Sequence, residues 1–141
     1  MTTTTKPAGL GLTHNILMLF VIINIIGDIG NVAFWWASPD SRALSLNTGL
    51  IGTLAGADNA LIAGTVILLV VSVVYIAGLY GLMKKLTWAP LLVIAISVTN
   101  RALALVLYAI SFAFVFWAVW TVILVILSYL DWKKLKALPK Q

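Results

Sequence analysis

Residues 15–36 read NILMLFVIINIIGDIGNVAFWW. The stretch is as long as the roughly 20 apolar residues that cross a bilayer as a helix. Its one charged residue is Asp28. No A-x-A site closes it and its leading segment is only weakly basic, so it reads as a span rather than a cleaved leader.

Downstream, Ser38-Pro39-Asp40-Ser41 reads as a turn, since Pro fixes φ and Asp and Ser bond nearby backbone. Three further apolar stretches follow at 58–83, 88–110 and 112–130. Lys84, Lys85 and Thr87 separate the first two, and Ser111 marks a tight turn between the last two. Such short connections force antiparallel neighbours. The expected fold is an all-α membrane protein, a four-helix up-down-up-down bundle. Residues 43–57 are small, Gly-rich and moderately apolar. They read equally as an interfacial helix, a re-entrant piece or an extension of span two. Residues 1–14 read as a disordered tail, and residues 131–141 as a basic one.

Composition agrees. Of 141 residues, 62% are apolar and 9% charged, against about a quarter charged in a soluble domain. There is no cysteine, no glutamate and a single histidine, His14. Disulfides, thiolate metal sites and serine–histidine catalysis are therefore not expected. No metal, cofactor or enzymatic activity is expected. His14 itself reads as an ordinary solvated residue at the interface.

The net charge of +5 is spread around the apolar segments rather than gathered in a patch, which argues against nucleic acid and for membrane topology. With four spans, Lys6, Lys84, Lys85, Lys133, Lys134, Lys136 and Lys140 share one side, and only Arg42 lies opposite. The positive-inside rule then puts both termini in the cytoplasm. Trp88, Tyr129 and Trp132 fall at that boundary and Trp35 and Trp36 at the outer one, the depth that amphipathic rings prefer. With no organelle or secretory signal, the expected location is a prokaryotic plasma membrane, with lipid as the first partner. The lysines of the C-terminal tail suit anionic headgroups.

A few polar residues break the apolar pattern. Asn24, Asp28 and Asn31 fall at i, i+4 and i+7, on one helix face that Trp35 continues. Span three carries Ser97, Thr99, Asn100 and Arg101, with Tyr108 two turns on. Asp28 lies ~21 Å into span one and Arg101 ~20 Å into span three, at 1.5 Å per residue. These spans run parallel, so the two charges share a depth. A lone charge there costs at least ~2.5–3.5 kcal/mol. Asp28 and Arg101 are thus expected to meet inside the bundle, flanked by Asn24, Asn31, Asn100 and Tyr108. Such a cluster is either a binding site or ion path, or a buried ion pair that sets helix register.

Gly52, Gly56, Ala60 and Gly64 form a small-residue row at i+4 spacing, suited to close helix packing or to a homodimer. Asp58-Asn59 suits the start of a helix. Trp117 and Trp120 are expected to face lipid or pack on a neighbour. Two functions from different classes remain open. One is a small transport or channel-type protein with its site at the polar cluster above; the other is a non-catalytic accessory or assembly subunit of a larger membrane complex. Both accommodate a homo-oligomer or a partner membrane subunit.

Overall fold

The computed structural model describes residues 10–40, 46–108 and 112–138. Four of its helices are long and apolar enough to cross a membrane: α1 (Gly11–Ala37), α3 (Ala57–Met83), α4 (Trp88–Leu107) and α5 (Phe112–Ala137). A short helix, α2 (Leu50–Ala55), precedes α3. The protein is a small, multi-pass, all-α integral membrane bundle. Hydrocarbon offers backbone groups no partners, so each span must satisfy its own as a helix.

The spans pack as a ring, α1 on α3, α3 on α4, α4 on α5 and α5 back on α1. Its interior has two apolar layers. One joins all four spans through Leu17, Val21, Tyr75, Leu82, Val93 and Leu124. The other gathers Trp35, Leu46, Ala60, Leu61 and Leu68 at the opposite end. Between them along α1 and α4 lie the polar residues of the two helices.

Small residues set the α3–α4 distance. A methyl group added at Gly81 would come within 2.7 Å of the Ala89 Cβ, and one at Gly78 within 3.1 Å of Val93. Close backbone approach is what packing helices in lipid requires, since apolar burial drives little there. Between the two helices, Lys85 adopts φ 57°, with Lys85 N–H donating to the Leu82 carbonyl and Leu86 N–H to that of Gly81. This is a Schellman ending. A lysine takes the place usual for glycine and puts its charge by the negative end of the helix dipole. Pro90 is tolerated because first-turn N–H groups have no intrahelical partner.

Several boundaries differ from the sequence expectation. Helix α1 begins at Gly11 rather than residue 15, so His14 belongs to the helix and not to a tail. Helix α5 continues to Ala137 instead of stopping at residue 130, because Asp131 and Leu135 are buried on its inner face. Helix α4 ends at Leu107 rather than 110, with Tyr108 extended at φ −118° and ψ 150°. The turn expected at Ser111 and the tail residues 1–9 and 139–141 lie outside the described residues. Ser38 is extended and ends α1, as its place before Pro39 favours.

The segment 43–57 resolves into a fold-back, although residues 43–45 lie outside the described residues. Leu46 is fully buried in the second apolar layer. The Gly49 backbone rests directly on the Leu107 carbonyl, leaving no room for a side chain. At Gly56, φ is +95°, and this separates α2 from α3. The row Gly52–Gly56–Ala60–Gly64 is therefore not one helix face. Gly52 packs on its own loop at Asn47 and Gly56 makes the bend, so only Ala60 and Gly64 share a buried face of α3, where Gly64 seats Trp35 and Leu46. At the start of α3, Asn59 donates from its side chain to the Ala55 carbonyl (2.7 Å), while no side chain caps the helix at Gly56.

Overpacking a tight helix contact costs ~1–3 kcal/mol, and Gly81→Val should lose that much. Gly30→Ala meets nothing within 4 Å and should leave stability unchanged or slightly raised. Thermal unfolding of the purified variants followed by circular dichroism checks both; equal stability of the two variants would contradict the packing described.

Candidate functional site

The ring places one face of α1 opposite one face of α4 at the level between the apolar layers. The i, i+4, i+7 spacing turns Asn24, Asp28 and Asn31 inward together, and Asn100, Arg101, Ala104 and Tyr108 meet them from α4. Leu68 of α3 and Trp117 of α5 complete the wall of a cavity of about 40 Å³. All four spans contribute. The six polar residues singled out in the sequence, Asn24, Asp28, Asn31, Asn100, Arg101 and Tyr108, thus line one space. Thr99, adjacent in sequence, is exposed on the outer face of α4 instead.

The cavity accommodates on the order of three waters, at ~10–15 Å³ each. It is far smaller than the ~300–1,000 Å³ of a drug-sized ligand pocket. Asn24 and Asn100 are buried, whereas Asn31 is exposed, so the cavity reaches the surface of the bundle at that edge.

Arg101 is held from the side. Its Nε–H donates to Thr121 Oγ1 (3.3 Å), and that hydroxyl donates to the Trp117 carbonyl (2.9 Å). The guanidinium also lies 5.6 Å from the centroid of the Phe114 ring, within cation–π range. Trp117 packs edge-on against Trp120, which stacks on Phe20 of α1 at 4.1 Å. This aromatic row joins α5 to α1. Trp117 thereby has a wall position that its expected lipid-facing or packing role did not include. One turn from the cavity, the Tyr75 hydroxyl and Ser97 hydroxyl are hydrogen-bonded at 3.0 Å and tie α3 to α4.

The expected contact between the two charges does not form. Asp28 and Arg101 line the same cavity, yet no ion pair within 4.0 Å joins them. Among the described residues, Asp28 Oδ2 is buried without a hydrogen-bond partner. The helix faces bring both groups to the wall of one cavity without a direct contact.

Among the described residues, the direct acid–base contact that forms is elsewhere, between His14 and Asp131. His14 Nδ1 donates to both carboxylate oxygens of Asp131, at 3.0 and 2.9 Å. His14 is 5% exposed and Asp131 fully buried, which corrects the expectation of a solvated histidine. Beside them Lys134 Nζ donates to Thr13 Oγ1 (3.2 Å). The pair clasps the first turn of α1 to the end of α5, at the same end of the bundle as Lys84 and Lys85. The signal for it lay in the topology: in a four-span ring the first and last helices are neighbours, and His14 and Asp131 sit at matching ends of them.

Comparison with protein families, with curated proteins and with solved structures finds no match.

Removing one partner of a buried pair leaves the other uncompensated, at ~3–5 kcal/mol, whereas replacing both by apolar groups is often neutral. His14→Leu should therefore destabilise the bundle by about 3 kcal/mol, and His14→Leu with Asp131→Leu should recover most of it. Denaturation in detergent measures both; a double variant no more stable than the single would contradict the clasp.

Proposed function

We propose that this chain is a small, non-enzymatic transport or channel-type protein of a prokaryotic plasma membrane, with both termini cytoplasmic. The polar cavity between α1 and α4 would be its solute site. One observation carries this reading: the two intramembrane charges line one cavity without a direct ion pair within 4.0 Å. A pair kept only to set helix register gains most from direct contact, as His14 and Asp131 have. Asp28 and Arg101 instead leave a space lined with amide, hydroxyl, carboxyl and guanidinium groups. Ionisable residues inside a membrane that face such a space are the usual marks of a solute or ion path.

The size of the cavity limits the cargo to water, a proton or a small ion. The lipid-facing apolar surfaces of α1 and α5 suit a homo-oligomer or a partner subunit as well as lipid. Native mass spectrometry of the gently solubilised chain tests that part of the reading.

Proteoliposomes test transport directly. A panel of small ions, protons and water, followed by dye response and osmotic light scattering, should show one species crossing several-fold faster than in empty vesicles. Asp28→Asn and Arg101→Gln should return that flux to the empty-vesicle level while the helical circular dichroism spectrum stays intact. Wild-type vesicles indistinguishable from empty ones across the panel would overturn the proposal.

A further inference from the structure

The cavity holds one acid and one base, and the two differ in a way that selects the sign of a ligand. Arginine cannot be deprotonated in a protein, whereas a carboxyl group can be neutralised by a proton. With both groups charged the site is neutral. With Asp28 protonated it carries the single positive charge of Arg101. No change of protonation makes it negative. A cation adds positive charge to a site that is at best neutral, while an anion is balanced by Arg101 once Asp28 is protonated.

The donors point the same way. Arg101 uses only Nε in a hydrogen bond among the described residues, so its terminal amino groups remain available. The amides of Asn24, Asn31 and Asn100 and the Tyr108 hydroxyl supply further N–H and O–H groups to the same wall. Asp28 Oδ2, buried without a donor, is an acceptor that repels an anion when ionised and becomes a donor when protonated. The titratable and charged groups near Asp28 are Arg101 of α4, Tyr108 just past its end and Tyr75 of α3. From α5 the cavity receives Trp117, which does not titrate. Of all these, Asp28 is the one carboxyl group, and taking up a proton neutralises it.

We propose that the cavity between Asp28 and Arg101 binds a small monovalent anion of halide size, and that one proton is taken up on Asp28 with each anion. The proposal rests on the solute-site reading above and names its substrate class. The anion sits against the Arg101 guanidinium, the proton comes from bulk water to the Asp28 carboxyl, and the filled site is neutral. Anion affinity therefore rises as pH falls. Gluconate, far bulkier than a halide, should bind the small cavity much more weakly.

The test is equilibrium binding to the purified full chain in detergent, which needs no flux. Sodium chloride and sodium bromide are titrated by calorimetry against sodium gluconate, at mildly acidic and mildly alkaline pH. Expected are saturable halide binding, several-fold tighter at acidic pH, and uptake of about one proton per halide in weakly buffered solution. Asp28→Asn should bind halide with little pH dependence, and Arg101→Gln should lose binding at both pH values. His14→Asn should keep the wild-type pH dependence, separating the site from the clasp. Halide binding without proton uptake, an Arg101→Gln variant that binds as the wild type does, or no saturable halide binding would overturn the inference. The wild-type proton count stands even if a variant fails to fold. Halide binding without any flux would leave this site standing and remove the transport reading. Flux of another species without halide binding would do the reverse.

Discussion

A charge in hydrocarbon has no water to turn to, and the rest of this small bundle is arranged around that cost. Each backbone group is satisfied within a helix, and the helices approach closely through Gly78, Gly81 and Ala89. What remains are the side chains that are polar at depth. The fold draws Asn24, Asp28, Asn100 and Arg101 toward the centre, with Asn31 at the cavity's outer edge, and leaves lipid to apolar side chains such as Ile26, Phe116, Val122 and Ile126.

The chain contains two acid–base pairs and treats them differently. His14 and Asp131 meet directly, buried, where α1 begins and α5 ends. That contact carries α5 beyond the apolar run, and Lys133 and Lys136 lie over the rings of Tyr129 and Trp132 along the same helix. Asp28 and Arg101 line one cavity without such a contact. Thr121 and Phe114 restrain the guanidinium from the α5 side, and Asp28 keeps an oxygen without a donor. A close pair serves as a fastening, whereas a separated one defines a space with its own electrostatics. This contrast within one molecule is the strongest support for a solute site at the centre.

Much of this was legible from residue order. Four apolar runs of sufficient length determine four spans, because a bilayer admits little else. The spacing of Asn24, Asp28 and Asn31 identifies an inward face, and counting depth places Arg101 at its level. Helix ends were less legible. His14 and Asp131 look like tail residues until α1 and α5 are neighbours, since a charged residue at the end of an apolar run is ordinarily left in water. The glycine row was misleading for a related reason: i+4 spacing implies a face only where the helix is continuous, and the positive φ of Gly56 interrupts it.

The sequence by itself determined the class of the protein, the number of spans and the residues that belong inside, because hydropathy and helical period are local properties of the chain. Only the tertiary structure decided which of those residues touch. It joined His14 to Asp131 across 117 positions, brought Trp117 to the cavity wall and set a space between Asp28 and Arg101. Those outcomes depend on helix rotation and separation to within a few ångströms, which side chains on neighbouring helices set together. The four spans and their polar interior were written along the chain; that its central charges line one cavity without direct contact was settled by packing.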